Sequence, residues 1–387
     1  MMKDSVSVKN QKLFEIDQKI DALVKKIEML NYVNPNNIES EKEIFFNSKY
    51  LTDPKFTYPK RDFDKFSLHK EFFALKIDDI EDERLRDFYE DIIYFYSGLI
   101  QCIETIGKGK RFYYNSLRSF GTPTEQDVEN AKFILHFESE DAKSEIFQPK
   151  YTATESHHFF REYSKNYDFS YSIKNATAMG AIAMVSNSIQ ALVLNENHTF
   201  SDNEINILTN HEIGVHMVTT MNGMLHPLKI FSHGFPNNEE TQEGLAVFSE
   251  YMSGNLTIKR LKELAYRVLA VDSLAKGYSF SRTFRMLHNG YDLDREEAFY
   301  IAVRAHRGGG FTKDYLYLTG LKKIYDYHQE GKDLSLLLTG KVSIEFVEDI
   351  KYMIAHNHAI HAKHVTDSYA INKNTNKTVD FILHNLK

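Results

Sequence analysis

The sequence predicts an α+β protein in which helices predominate and the sheet is small. Apolar residues recur every three or four positions over the first thirty residues, around 80–106 and near 125–135, which is the spacing of helices with one buried face. Within 181–194, the apolar runs GAIAMV and IQALVLN are separated by a polar Ser-Asn-Ser, which indicates a β-hairpin. Helical spacing then returns and continues to the end of the chain.

The N-terminal third is expected to be helical, with one long connection. Its first helix has apolar positions at helical spacing, namely Leu13, Ile16, Ile20, Leu23, Ile27 and Leu30. The Asn-Pro and Asp-Pro pairs between Asn31 and Tyr58 favour a loop and extended connection there. We expect residues 1–110 to form a helical layer packed on a domain of residues 111–387, which includes the C-terminal helices.

Composition excludes several classes of protein. Of the 387 residues, 26% are charged and 42% hydrophobic, and the net charge of −7 is dispersed, which argues against a general nucleic-acid binder. The sequence has neither a secretory signal nor a stretch long enough to span a membrane, so the expected location is the cytoplasm. The single cysteine, Cys102, lies among apolar residues and is expected to be packed in a helix.

The stretch FSDNEINILTNHEIGVHMVTTMNG predicts one helix of about five to six turns. Ser201 followed by Glu204 matches a capping box, which places the helix start. Asn222-Gly223 is a plausible end. The segment HEIGVH therefore lies in the middle of a helix.

His211 and His216, with Glu212 beside the first, form a pattern typical of zinc hydrolases. In such enzymes two imidazoles bind zinc and the glutamate activates the bound water. Because thiolates are not available for a multi-cysteine site, any metal here must be held by His, Asp and Glu.

The spacing of the two histidines requires an irregular helix. Ligands five residues apart are separated by roughly 140° on a regular helix, so both could not reach one zinc ion. A π-type bulge absorbs one extra residue and restores the convergence. Gly214 lies inside this turn and lowers the cost of unusual backbone geometry. We therefore predict a π-bulge at Ile213–Val215.

A second helix is expected to supply the third ligand. Asn237 or Asn238 can cap this helix, and Glu243 lies early in it. The small residues Gly244 and Ala246 next to Glu243 would allow close approach of another helix. Such a ligand set leaves the fourth zinc position open to water.

Two further residues complete the hypothesis for the metal site. His233 is the main rival of Glu243 as third ligand. Glu250 lies seven residues beyond Glu243 on the same helix face, and it could hydrogen-bond to a liganding histidine.

HEIGVH followed by TQEGLAV resembles the family of flavohemoglobin expression-modulating QEGLA motif proteins. Its animal members are the microtubule-associated tyrosine carboxypeptidases, which remove the C-terminal tyrosine of α-tubulin. The segments RAHRGGGFTKDYLYLTG (304–320) and FYYNSLRSFGTP (112–123) also resemble family segments. The resemblance covers roughly residues 60 to 350.

The resemblance implies a zincin-like, gluzincin-type peptidase core within residues 111–387. It also implies a Zn2+ cofactor held by His211, His216 and Glu243, with Glu212 as the catalytic base. The chain looks like a bacterial member of the family, and a bacterium without α-tubulin cannot use it for detyrosination. The resemblance therefore implies a reaction class more firmly than a substrate.

Cationic residues near the end of the chain are candidates for substrate binding. A carboxypeptidase pairs the terminal carboxylate of its substrate with a fixed cation, and Arg304, Arg307 and Lys313 surround a Gly-Gly-Gly loop. The alternative is a basic surface turn. Tyr317 is a candidate for hydrogen-bonding the oxyanion, or else a packed aromatic residue.

Two other features have competing interpretations. The strand 190–194 precedes the metal helix and is either an edge strand that binds substrate by strand addition or an ordinary internal strand. A late group, His356, His358, His361 and His364, is either a second metal site or a solvated helix face.

The sequence thus predicts a cytoplasmic zinc metallopeptidase whose substrate is the C-terminus of a peptide or protein, with no nucleic-acid or membrane partner. Endopeptidase or aminopeptidase action is the nearest alternative. A regulatory protein with a structural zinc is the alternative from another class, and it would need His226, His233 or another side chain as fourth ligand.

Overall fold

Helices make up most of the computed structural model of the chain, and the strands form two small sheets. The structure describes residues 8–387 except 26, 28, 62, 63, 141, 142, 178, 180 and 188. Residues 1–7, Gly180 and Ser188, which belong to the predicted first helix and hairpin, therefore lie outside the described residues. The predicted class, α+β with predominant helix, is confirmed.

Eight α-helices precede the three-stranded sheet in the described part of the chain. They are α1 (Val8–Val24), α2 (Leu30–Val33), α3 (Ile38–Asn47), α4 (Lys65–Phe73), α5 (Glu83–Thr105), α6 (Lys110–Phe120), α7 (Glu125–Leu135) and α8 (Ala153–Ser164). The predicted inward positions of α1, including Leu13, Ile16 and Ile20, are buried. α5 begins after Asp82, whose side chain accepts the N–H of Leu85 as an N-cap.

The region between Asn31 and Tyr58 contains most of α2 and all of α3, so the prediction of a continuous loop there is wrong. α3 has two glutamates in its first turn, where the helix dipole favours negative charge. Its Phe45 is buried, and the ring lies 4.9 Å from that of Phe284. The two X-Pro pairs lie on either side of α3, so they bound this helix instead of preventing it.

The described part of the chain has five strands, all between α7 and Ser201. They are β1 (Tyr151–Thr152), β2 (Ser172–Ala176), β3 (Ala183–Ser186), β4 (Ala191–Asn195) and β5 (Thr199–Phe200). β3 pairs antiparallel with β4, with Met184 opposite Val193, which confirms the hairpin. β2 pairs parallel with the other edge of β4, with Lys174 also opposite Val193. β4 is therefore the central strand, and of the two alternatives for residues 190–194 the internal strand is correct.

The remaining helices carry or surround the histidine motif. They are α9 (Asp202–Leu208), α10 (Val218–Leu225), α11 (Ile230–His233), α12 (Asn238–Met252), α13 (Ile258–Ala275), α14 (Phe280–Arg285), α15 (Arg295–His306), α16 (Leu316–Gln329), α17 (Val347–Ala355) and α18 (Lys377–Asn385). A π-helix over Thr209–Met217 joins α9 to α10, and a shorter one over Met286–Gly290 follows α14. Among the described helices, none combines the length and the apolarity needed to cross a lipid bilayer.

α12 and α16 pack with their backbones in contact. A Cβ atom on Gly244 of α12 would lie 2.4 Å from the carbonyl oxygen of Gly320 on α16. The small side chains predicted next to Glu243 therefore do allow a close helix approach, and the helix that approaches is α16. This contact places the start of α12 beside the segment that leads into α16.

The N-terminal helix is fastened to the rest of the chain by a buried carboxylate. Asp17 of α1 is 1% exposed and accepts the N–H groups of Lys229 and Ile230, at 2.5 and 3.1 Å, and the hydroxyl of Tyr89 at 2.9 Å. Apolar residues of α1, α5, α12 and α16 belong to one continuous buried cluster. The division into two regions near residue 110 stays a prediction.

Candidate metal centre

The helix that carries His211 and His216 has a π-helical middle, as the spacing of the two residues predicts. Ser201 and Glu204 form the predicted capping box at the start of α9. The π-helix extends over Thr209–Met217, so it is wider than the predicted bulge at 213–215. The widened turns bring the two imidazole rings to a centroid separation of 4.9 Å. The helical run ends at Leu225, two residues after the predicted end.

Gly214 has a close side-chain neighbour in this turn. A Cβ atom on residue 214 would lie 2.9 Å from the phenolic oxygen of Tyr163 on α8. The backbone carbonyl of Gly214 accepts the hydroxyl of Thr366 at 2.7 Å. The absence of a side chain at residue 214 therefore leaves room for Tyr163 of α8 beside the π-helix, and Thr366 bonds to the backbone at the same point.

Glu243 lies on the first half of α12 and faces both histidines. Its Oε2 atom is 3.7 Å from His211 Nε2 and 3.6 Å from His216 Nε2. Asn237 occupies the N-cap position of α12 in a left-handed conformation, but its side chain makes no capping hydrogen bond. Helix α12 is thus held by packing on α16 more than by the predicted cap.

These three side chains fit a tetrahedral zinc ion. Ligands about 2.0–2.1 Å from zinc lie about 3.4 Å from one another, close to the separations observed from Glu243. The Oε2 atom of Glu243 is buried and has no hydrogen-bond partner, because both imidazole nitrogens are beyond hydrogen-bonding distance. In the part of the chain that the structure describes, His211, His216 and Glu243 are the one group of three or more potential ligands whose ligand atoms converge.

Glu250 hydrogen-bonds to His211, in agreement with the prediction that it contacts a liganding histidine. Its Oε1 atom lies 2.8 Å from His211 Nδ1, which leaves Nε2 of the ring directed toward Glu243. Arg260 of α13 donates to the other oxygen of Glu250 at 3.2 Å. Both carboxylate oxygens of the fully buried Glu250 are therefore satisfied.

The two histidines have opposite electrostatic environments. Burial disfavours the charged form of both rings. At His211 the nearby carboxylate of Glu243, 3.7 Å from Nε2, and the hydrogen bond to Glu250 together outweigh burial and raise the pKa of the ring to about 9. At His216 burial outweighs the attraction of Glu243, so the pKa is lowered. Without a metal, His211 therefore carries a proton at neutral pH.

Glu212 follows His211 directly in the π-helix. It is 6% exposed, and its Oε2 atom is buried without a hydrogen-bond partner among the described residues. A carboxylate oxygen in this position is available to accept a proton.

Of the three predicted cationic residues, Lys313 contacts the convergent group, whereas Arg304 and Arg307 have other partners. Lys313 donates to Glu243 Oε1 at 2.8 Å. Arg304 pairs with the buried Asp314, with 3.0 Å between Nη2 and Oδ1. Arg307 is 6% exposed, donates to Asn34 at 2.5 Å and lies 3.8 Å from Asp314. The alternative of a basic surface turn therefore does not describe Arg307.

Three cationic side chains lie over the ring of Tyr317. The charged groups of Arg267, Lys313 and Arg304 lie 4.9, 5.7 and 6.0 Å from its centroid. Burial, reinforced by the charge of Glu243, raises the pKa of Tyr317, so its hydroxyl stays protonated and can donate a hydrogen bond. Sequence reasoning missed Arg267, whose only signal is a charged residue in the apolar stretch AYRVLAV.

Lys341 was also missed. It is 7% exposed and donates to the backbone carbonyl of His216 at 2.9 Å. Burial lowers its pKa to about 7, although the charges of Glu212 and Glu243 act in the opposite direction. Its signal in the sequence is weak: one lysine in the apolar stretch LLLTGKV, 125 residues after His216.

The other histidines have different partners. His233 lies 2.6 Å from Asp21, and the ring of His226 stacks on Phe231 with 4.0 Å between centroids. In the late group, α17 ends at Ala355, so the predicted helix face over 356–364 is wrong. His364 is buried, and its Nδ1 atom lies 3.1 Å from Oδ1 of Asp168. None of these residues belongs to the convergent group found among the described residues.

Comparison with known proteins places the chain in a family. Residues 43–387 match the profile of the family described as "Microtubule-associated tyrosine carboxypeptidase". "Microtubule-associated tyrosine carboxypeptidase 1" of Mus musculus is 24% identical over 335 residues, 84% of this chain and 62% of the mouse protein. The Rattus norvegicus protein of the same name is 29% identical over 183 residues, 44% of this chain and 38% of the rat protein. The chain thus matches less than two thirds of the length of these relatives. It belongs to the microtubule-associated tyrosine carboxypeptidase family.

Proposed function

We propose that this chain is a zinc-dependent peptidase that removes residues from the C-terminus of a peptide or protein. The single observation that carries the proposal is the convergence of His211, His216 and Glu243, with Glu212 in the same π-helical turn. Membership of a family named for carboxypeptidases supports the same reaction class.

In the proposed site, His211, His216 and Glu243 would hold the zinc ion, with the Nε2 atoms of the histidines and Oε2 of Glu243 facing one another. A bound zinc ion supplies Lewis acidity for the scissile carbonyl and lowers the pKa of a water molecule. Glu212 accepts a proton at its Oε2 atom and returns it to the leaving amine. Glu250 keeps the Nδ1 proton of His211 in place, which leaves Nε2 as the metal-binding atom.

The cationic group around Tyr317 supports action at a C-terminus. Lys313 donates to Glu243 at 2.8 Å, so a substrate carboxylate that paired with Lys313 would lie close to the three convergent side chains. Arg304 and Arg267 also lie over the ring of Tyr317, each paired with a carboxylate, Asp314 and Glu263 respectively. The Tyr317 hydroxyl is suited to donate to a developing oxyanion.

A free strand edge supports binding of an extended substrate. Among the described strands, β3 pairs with β4 alone. The N–H of Asn195 donates to the carbonyl of Ile182, so these two residues form a hydrogen-bonded pair of the antiparallel ladder. Because hydrogen-bonded and non-hydrogen-bonded pairs alternate, the backbone N–H and C=O groups of Ala183 and Val185 point away from β4. We assign substrate pairing to this edge of β3, because both edges of β4 are occupied.

A structural role for zinc receives less support. Such a site requires a fourth protein ligand, and neither of the two candidates predicted for it, His226 and His233, belongs to the convergent group found among the described residues. Three protein ligands and an open fourth position are the arrangement of catalytic zinc.

The test is digestion of a mixed peptide library by the zinc-loaded protein, followed by mass spectrometry. The expected products have lost single residues from their C-termini, whereas internal cuts or N-terminal trimming would contradict the assignment. Glu212→Gln should lower kcat by about 10²–10⁴-fold, the contribution of a general base, and leave the zinc content unchanged. Glu348→Gln, a change on the exposed start of α17, is the matched control.

A further inference from the structure

Lys341 lies in a rigid segment behind the candidate metal centre. Its backbone N–H donates to the carbonyl of Phe231 at 2.8 Å, and its own carbonyl accepts the N–H of Phe235 at 2.9 Å. A Cβ atom on the preceding residue, Gly340, would lie 2.5 Å from the same Phe231 carbonyl. The backbone at 340–341 is therefore fixed against the connection between α10 and α12.

From this backbone the lysine side chain reaches the π-helix. Its Nζ atom donates to the carbonyl oxygen of His216 at 2.9 Å and to the hydroxyl of Thr219 at 3.1 Å. Thr219 lies in α10, one turn beyond His216. The ammonium group therefore bridges the second candidate ligand and the helix that continues from it.

The hydrogen bonds continue from Thr219 to α12. The Thr219 hydroxyl donates to Gln242 Oε1 at 2.8 Å, and Gln242 Nε2 donates to the carbonyl of Gly340 at 3.3 Å. The Gly340 carbonyl fixes the orientation of the amide, because only the Nε2 end can donate to it. The series of hydrogen bonds thus returns to Gly340, the residue before Lys341. It includes Gln242, which directly precedes Glu243.

This cation has an unusual environment. It is 7% exposed, and among the described residues no carboxylate oxygen lies within 4.0 Å of its Nζ atom. Burying a charged group without an ion pair is costly, and the nearby negative charge of Glu212 and Glu243 offsets only part of that cost. If residue 341 served only to pack against the π-helix, an apolar side chain of the same length would give a larger free energy of unfolding than lysine does.

We propose that Lys341 is a positioning residue for the metal site. Its ammonium holds the carbonyl of His216 and, through Thr219 and Gln242, fixes the spacing between the π-helix and α12, which carry the three ligands. The proposal rests on the proposed function, because it concerns the geometry of that same zinc site. It also gives the glutamine of the QEGLA segment a role: it ties the helix of the third ligand to the helix of the first two.

Lys341→Met tests the proposal, since methionine keeps the unbranched shape and removes the donors. We expect zinc affinity about 10–100-fold weaker, the usual effect of removing an outer partner of a metal ligand. The visible absorption spectrum of the Co2+-substituted protein should also change, because it reports ligand geometry. kcat should fall while KM changes little, since Lys341 is not placed against substrate. Lys351→Met, on the exposed face of α17, is the control.

A matched pair at Thr219 covers the case in which Lys341→Met does not fold. Thr219→Ser keeps the hydroxyl and should retain the wild-type Co2+ spectrum, whereas Thr219→Val keeps the shape and should not. Identical spectra and zinc affinities for the two variants would overturn the proposal, as would wild-type values for a folded Lys341→Met. If the wild-type protein itself binds neither Zn2+ nor Co2+, the proposed function fails first and this inference with it.

Discussion

Gly320 of α16 lies directly against the carbonyl group of Glu240 on α12. A Cβ atom on residue 320 would be 2.1 Å from that oxygen, which is far inside van der Waals contact. Glu240 precedes Glu243 by about one helical turn. The position of the third candidate ligand therefore depends on the absence of one methyl group from the neighbouring helix.

Gly320→Ala should destabilise the protein and weaken zinc binding. The new methyl group meets backbone atoms that cannot rotate away, and overpacking of this kind costs typically ~1–3 kcal/mol. Thermal unfolding and zinc titration measure the two effects. Gly290→Ala is the control, because a Cβ atom there has no neighbour within 4 Å. Equal stability and zinc affinity for Gly320→Ala and the wild type would contradict the described packing.

Zinc binding should release about one proton at pH 7.5. The pKa of His211 is raised from its ordinary 6.5 to about 9, so the metal-free protein holds this proton at neutral pH. Zinc requires the neutral ring, and each unit of pH below 9 therefore lowers the apparent affinity about tenfold. Calorimetric titration in buffers of different ionisation enthalpy measures the proton count. A count near zero would show that His211 is already neutral.

Glu250→Gln should weaken zinc binding by about 10–100-fold without removing a metal ligand. The amide can still approach His211 Nδ1, but it lacks the charge that orients the ring and pairs with Arg260. Equilibrium competition with a chelator measures the affinity. The proton released on zinc binding should decrease in the same variant, because one of the contacts that raise the pKa of His211 is weakened. Glu348→Gln again serves as the comparison.

Lys313→Met should impair recognition of a free C-terminus. The loss of a charged hydrogen bond costs roughly 1.5–3 kcal/mol, which corresponds to a KM increase of about 10–150-fold. The wild type should prefer peptide acids to the matching amides, and the variant should lose most of that preference. Zinc content must be measured in parallel, because Lys313 also contacts Glu243. Lys323→Met on α16, a half-exposed partner of Glu240, is the control.

The sequence was most informative where chemistry and helix geometry constrain each other. Two histidines five residues apart cannot converge on a regular helix, so the motif itself required the π-helix that is observed over Thr209–Met217. The seven-residue spacing from Glu243 likewise indicated Glu250 as a partner of a liganding histidine, and the structure shows that this histidine is His211. Both inferences use local periodicity, which the order of residues determines directly.

Long-range contacts were not accessible in the same way. Lys341 reaches His216 across 125 residues of chain, and Arg267 reaches Tyr317 from a different helix. β2 has the polar sequence SIKNA, so its parallel pairing with β4 was not predicted, and the choice between an edge and an internal position for β4 stayed open. In each case the contact depends on tertiary packing that a single sequence does not encode as a repeat or a motif.

The carboxylate of Asp17 lies 26 residues before the segment shared with the family begins. A fragment cut at the family boundary would strip two backbone amides and a tyrosine hydroxyl of their acceptor and uncover the apolar strip beneath α1. Such a fragment should unfold at lower temperature than the full chain. The family match begins at residue 43, but α1 before it is part of the same buried core. A fragment made for expression should therefore include α1 and not begin where the sequence similarity begins.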